Sequence, residues 1–132
     1  MTDTSETVDY DARRSMLTSA LRSGEYRQAQ HTLQVDGAFC CLGVACDIYL
    51  KETGKGSWGD SKRYFYDGVG DDSKTRLPAA VRDWYGFRTQ YGSFGDPDRG
   101  ESRRLSIEND NGATFMSIAD LIDSKPMGLF ND

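Results

Sequence analysis

Phe39-Cys40-Cys41-Leu42-Gly43-Val44-Ala45-Cys46-Asp47 is the stretch on which the fold turns. It carries all three cysteines of the chain. Before it, residues 26–35 and 38–42 flank Asp36-Gly37, and Asp-Gly between two such runs favours a type I′ hairpin turn. Counting outward from that turn sets Val35 opposite Ala38, Leu33 opposite Cys40 and His31 opposite Leu42. These six are expected on the core face, with Gln30, Thr32, Gln34, Phe39 and Cys41 on the other. From Leu42 the period changes. Leu42, Ala45, Cys46, Tyr49 and Leu50 form one helical stripe, opposite Gly43, Asp47 and Lys51, and Gly54 closes the helix as its C′ residue. The cysteine block reads as a strand-to-helix joint.

Upstream, residues 1–7 are a polar tail expected to be disordered. Val8, Ala12, Met16 and Ala20, with Leu17 and Leu21 beside them, recur at helical spacing, and Gly24 ends that helix. Downstream, residues 55–76 are rich in glycine and charge. They hold Trp58 and Tyr64-Phe65-Tyr66, read as a strand over 63–66 with Val69 in a return strand. Leu77-Pro78 opens a short helix that Gly86 stops. Residues 87–104, with Gly92, Gly95, Pro97 and Gly100, read as a long loop. Thr114 can cap a last helix whose face is Phe115, Ile118, Ala119 and Ile122. The expectation is a single α+β domain: a small antiparallel sheet with a β-hairpin, packed by about three helices.

The totals narrow the function classes. The 132 residues suffice for a core without staples, and the aromatic share of 11 % against 37 % apolar residues predicts a small core rich in rings. The net charge of −5 disfavours DNA and anionic membranes, which repel an acidic surface, and suits a basic protein surface. There is no apolar run for a membrane span and no secretory h-region, and an odd cysteine count fits reduced thiols in a cytoplasm.

The cysteines do not read as a metal site: two are adjacent, the third is five residues on, and His31 is the sole histidine. Cys40 and Cys46 are expected as small buried hydrophobes. Cys41, at the start of a helix whose dipole favours a thiolate, is the weak catalytic candidate, but His31 is placed on the opposite face and cannot serve as its base. A helix-turn-helix around Gly112 is disfavoured because residues 115–124 carry no base-reading cation. Trp58, Arg63, Tyr64 and Tyr66, with Arg103 and Arg104, form the one basic-aromatic set that could clamp a nucleotide. No metal and no cofactor is expected.

Three segments also carry a resemblance: Leu21-Arg22-Ser23-Gly24-Glu25-Tyr26, the cysteine block, and Asn109-Asp110-Asn111-Gly112-Ala113-Thr114-Phe115 with Ile118-Ala119-Asp120-Leu121-Ile122. They resemble a group of small bacteriophage and prophage proteins with a CCLGVLCD block and an LNDxGxxFxxIADLI ending. The match covers about half the chain. It departs at Ala45, where Leu is usual, and at Ile107-Glu108, and residues 55–104 do not align. That group brings no catalytic residues to transfer. The resemblance implies a phage accessory protein made in the host bacterial cytoplasm, for host takeover or counter-defence. The leading expectation is a non-enzymatic protein that binds a host protein. The alternatives are a sponge for a small nucleotide immune signal and a cysteine enzyme centred on Cys41. Exposed aromatics leave room for a homo-oligomer.

Overall fold

The computed structural model describes residues 8–59 and 61–132; the expected tail at 1–7 lies outside them. The first helix, α1 (Tyr10–Arg22), starts where the Asp9 carboxylate accepts the Ala12 N–H at 3.0 Å. Its buried residues are Arg14, Leu17, Thr18 and Leu21, whereas Val8 and Ala12 are exposed. The apolar stripe read from sequence is therefore rotated. The cause is Arg14, 4 % exposed, whose guanidinium donates to the Tyr85 carbonyl and to Asp132 while covering the Phe130 ring at 3.6 Å. A charge so enclosed is tolerated only with partners of this kind.

The hairpin forms in the expected register. β2 (Gln34–Val35) and β3 (Ala38–Phe39) pair Val35 with Ala38 and Gln34 with Phe39, and Cys40 N–H donates to the Leu33 carbonyl. The pairing stops there. His31 takes φ +70°, the chain turns back on itself, and β1 (Arg27–Gln28) lies parallel to β3 on its other side. So His31 neither faces Leu42 nor sits on the core face; it is exposed. The Asp110 carboxylate captures its N–H at 2.7 Å and holds the reversal. Leu42 belongs to a helix by then.

That helix, α2 (Cys41–Thr53), runs from Cys40, whose Sγ accepts the Gly43 N–H, to the left-handed Gly54. Residues 41–46 are buried on all sides, so the expected outward position of Gly43 is corrected. Gly43 lies against the Leu33 backbone, and a Cβ there would overlap the Leu33 carbonyl oxygen. Glycine is what lets the helix start rest on the hairpin.

β4 (Ser57–Gly59), β5 (Tyr64–Tyr66) and β6 (Asp72–Ser73) make a second antiparallel sheet in that order. The return strand is β6 rather than a strand through Val69. Residues 67–71 instead wind around the buried Asp67, whose carboxylate accepts the N–H groups of Val69, Gly70, Asp71 and Ala80. Ala80 lies in α3 (Ala79–Tyr85), which follows Pro78 and ends at Gly86 with φ +76°. Residues 87–104 hold a short ribbon, β7 (Ser93–Phe94) with β8 (Arg103–Arg104), joined through a 3-10 turn, with Phe87 and Phe94 buried. Two more helices follow, α4 (Leu105–Asp110) and α5 (Phe115–Asp123), the latter capped by Thr114 accepting from Ser117 N–H.

The architecture is α+β, with five helices among the described residues around small sheets of two or three strands. α1 packs most heavily on α5, and α2 is gripped by α1, α3 and α4. A line of rings in edge or stacked contact crosses the core: Tyr26, Phe39, Trp58, Phe65, Tyr49, Trp84, Tyr85, Phe87 and Phe130, at centroid spacings from 4.8 to 6.2 Å. Such pairs add to plain area burial. Among the described residues, no helix is long and apolar enough to cross a membrane.

Candidate functional site

The cysteine block and the segment that begins at Asn109 meet at Asn109, which is fully buried. Its Oδ1 accepts Cys41 N–H at 3.2 Å and Gln28 Nε2–H at 2.8 Å, and its Nδ2 donates to the Ala29 carbonyl at 2.8 Å. One side chain thus ties α4 to the start of α2 and to the segment after β1. A second node is Asp47, which accepts from Tyr26 Oη at 2.6 Å and Trp58 Nε1 at 3.1 Å and pairs with Lys51 at 3.1 Å. Burial and the Asp47 bond both raise the Tyr26 phenol above its ordinary range. Contacts with Tyr26 and Asp47 keep the Lys51 amine charged. Both nodes are joints between segments.

The Asn109 joint shapes a cleft of about 170 Å³ above Cys40, walled by His31, Thr75, Tyr91, Arg104, Ser106 and Asp110. Asp110 receives the His31 N–H on Oδ1 and stands 3.3 Å from His31 Nδ1 through Oδ2. The imidazole is otherwise open to solvent, with 76 % of the side chain exposed. Arg104 lies over the Tyr91 ring at 5.1 Å. Burial pushes the Cys40 thiol up to about 11, so the floor of the cleft is neutral at physiological pH.

Cys41, the catalytic candidate, is 2 % exposed, and its Sγ donates to the Leu105 carbonyl. Burial raises its thiol well above the ordinary value, as it does for Cys46. Desolvation outweighs the helix start here, because the Cys41 side chain is sealed under α4 and has no water to support a thiolate. All three cysteines are free and buried.

The six residues of the basic-aromatic set are distributed. Trp58 is half-buried in the line of rings. Tyr64 and Tyr66 are 36 % and 44 % exposed on the outer face of β5, while Phe65 between them is fully buried. Across the sheet they face Gly59 and Ser57, too small to cover a ring. Arg63 is exposed in the tight turn before β5, and Lys74 reaches over Tyr64 at 5.8 Å. Arg103 and Arg104 sit apart on β8, and their side chains diverge. Arg103 is paired with Glu108 at 2.6 Å and Arg104 turns into the cleft. The cleft itself escaped the sequence reading, because its wall residues come from distant segments with no shared spacing. The one local signal was Asn109-Asp110 before the Gly112 turn.

A family model described as a domain of unknown function (DUF8296) matches residues 13–126. The chain belongs to this family. The DUF8296 region runs from within α1 through α5, and takes in both the cleft and the tyrosine face of β5. No curated protein and no solved structure matches the chain.

Proposed function

We propose that the chain is a phage-encoded accessory protein that acts without catalysis, by binding a protein in the cytoplasm of its bacterial host. Its role in this reading is host takeover or counter-defence by inhibition of that target. The observation that carries the binding reading is the pair Tyr64 and Tyr66, held side by side on the solvent face of β5 by the buried Phe65. Tyrosine is a favoured interface anchor: a large, stiff, amphipathic side chain that loses little freedom on docking. Lys74 reaches over the Tyr64 ring, Lys62 and Arg63 stand exposed in the turn before β5, and Asp72 pairs with Tyr66 across the sheet. Three cations and one carboxylate surround the rings on a chain of net charge −5, so the contact patch of the partner would be apolar with mainly acidic side chains around it.

The test is affinity capture from bacterial lysate with the full chain and with a Tyr64→Ser/Tyr66→Ser variant. Both rings are exposed, so the variant should keep its fold, which far-UV circular dichroism would verify. A protein retained by the native chain and lost by the variant is the expected result. Equal retention by both, or no retained protein, would overturn the reading.

A further inference from the structure

We infer that the cleft beside Arg104 binds the phosphate group of a small phosphate monoester, at a site separate from the tyrosine face. Arg104 carries the argument. Its neighbour Arg103 is satisfied by Glu108, as is Arg76 by Asp71 and Arg22 by Asp120 and Asp123. Among the described residues Arg104 has no carboxylate partner and donates no hydrogen bond; it rests only on the Tyr91 ring. A guanidinium parked on an aromatic face keeps its N–H fork free for a bidentate acceptor.

Three hydroxyls of the cleft are in the same state. The hydroxyls of Thr75, Tyr91 and Ser106 line it and engage no other described side chain or backbone group. His31 sets Nδ1 3.3 Å from Asp110 Oδ2, and its Nε2 has no partner among the described residues. These groups come from four segments: the reversal after β1, the approach to α3, the turn before β7, and the β8–α4 junction. A planar carboxylate satisfies the fork of Arg104 and little else. A tetrahedral phosphate offers three acceptor oxygens in different directions and can engage the hydroxyls as well. Asp110 opposes an anion; its Oδ1 accepts the His31 backbone N–H at 2.7 Å, and its Oδ2 lies 3.3 Å from His31 Nδ1. The volume of about 170 Å³ holds a phosphate and a short stem, well under the ~300–1,000 Å³ of sites that enclose whole drug-sized molecules. The remainder of such a ligand would project past Ile107, which is 45 % exposed at the rim.

His31 is the sole histidine, so its imidazole gives a single, unambiguous NMR reporter. The full chain would be titrated at fixed pH and physiological salt with phenyl phosphate and, separately, inorganic phosphate. The expected result is a saturable shift of the His31 ring signals with phenyl phosphate, with Kd below about 1 mM and no weaker than for inorganic phosphate. Arg104→Gln should weaken it by about tenfold or more. Arg103→Gln, one residue away and paired elsewhere, should leave it unchanged. Arg104 is exposed and bonded to nothing else, so its replacement should not unfold the chain. No saturable shift, a shift that survives Arg104→Gln, or binding of inorganic phosphate alone would overturn the inference.

Discussion

Asn109→Ala is the substitution that most directly probes how this chain holds together. The amide is fully buried and satisfies the first N–H of α2, the Ala29 carbonyl and the Gln28 side chain at once. Truncation removes the partner of a buried N–H and of a half-buried carbonyl. Stranding each such group costs about 1–3 kcal/mol, the carbonyl at the lower end because water can reach it in part. The sum is roughly 3 kcal/mol, a large share of the ~5–15 kcal/mol that holds a domain together, and corresponds to a fall in Tm of about 10 °C. Urea denaturation followed by circular dichroism would measure it, with an unchanged slope showing that only the native state was affected. Gln28→Ala supplies the contrast. Gln28 is exposed and donates from outside to Asn109 Oδ1 and to the Ala113 carbonyl, so its loss should cost about 0.5–1 kcal/mol. If Asn109→Ala cost no more than Gln28→Ala, Asn109 would not be the joint described above.

Two further outcomes follow from the ionisable groups. Arg76 beside Asp71 lowers the Asp71 carboxyl to about 2, below its ordinary value, so this pair stabilises the fold above about pH 4 and the contribution fades as pH falls toward 2. With both side chains near a third exposed, solvent screening leaves about 1 kcal/mol; the gap between native and Asp71→Asn in urea melts should be near that at pH 6 and close by pH 2, and a pH-independent gap would contradict the assignment. The three buried thiols should react with a disulfide reagent in the folded chain only as fast as it opens, and together in urea; one thiol reacting at the rate of a free cysteine would show that the Cys40–Cys46 block is more open than its packing implies.

Local chemistry was legible in the sequence, and long-range capture was not. Asp36-Gly37 gave the hairpin register because a two-residue turn admits few alternatives. The caps at Gly54, Gly86 and Thr114 marked three helix ends for similar reasons. The reversal at His31 had no such signal: a non-glycine residue at positive φ is held there by Asp110, nearly eighty positions along the chain. Arg14 turned the face of α1 inward because the Tyr85 carbonyl, Phe130 and Asp132 were waiting for it, none of which periodicity can see. Gly43 looked like a surface position on a helical wheel, whereas its want of a side chain is what lets α2 meet the Leu33 carbonyl. Of the basic-aromatic set, the sequence identified two exposed tyrosines and the arginine of the cleft. It could not tell that they belong to different surfaces, because strand alternation fixes which way a ring points but not where the strand goes.

The close packing of α1 on α5 also bears on how the chain reaches this state. α1, with Leu17 and Leu21 buried, packs most on a helix that begins nearly a hundred residues later, and Arg22 closes on Asp120 across 98 positions. During synthesis the first helix therefore emerges long before the surface that shelters it. It must wait, with its leucines wet or held by a chaperone, until α5 is made. Closing so long a loop delays the reward for the earlier contacts, so the hairpin and α2 should order first, with the docking of α1 against α5 as the late, slow event.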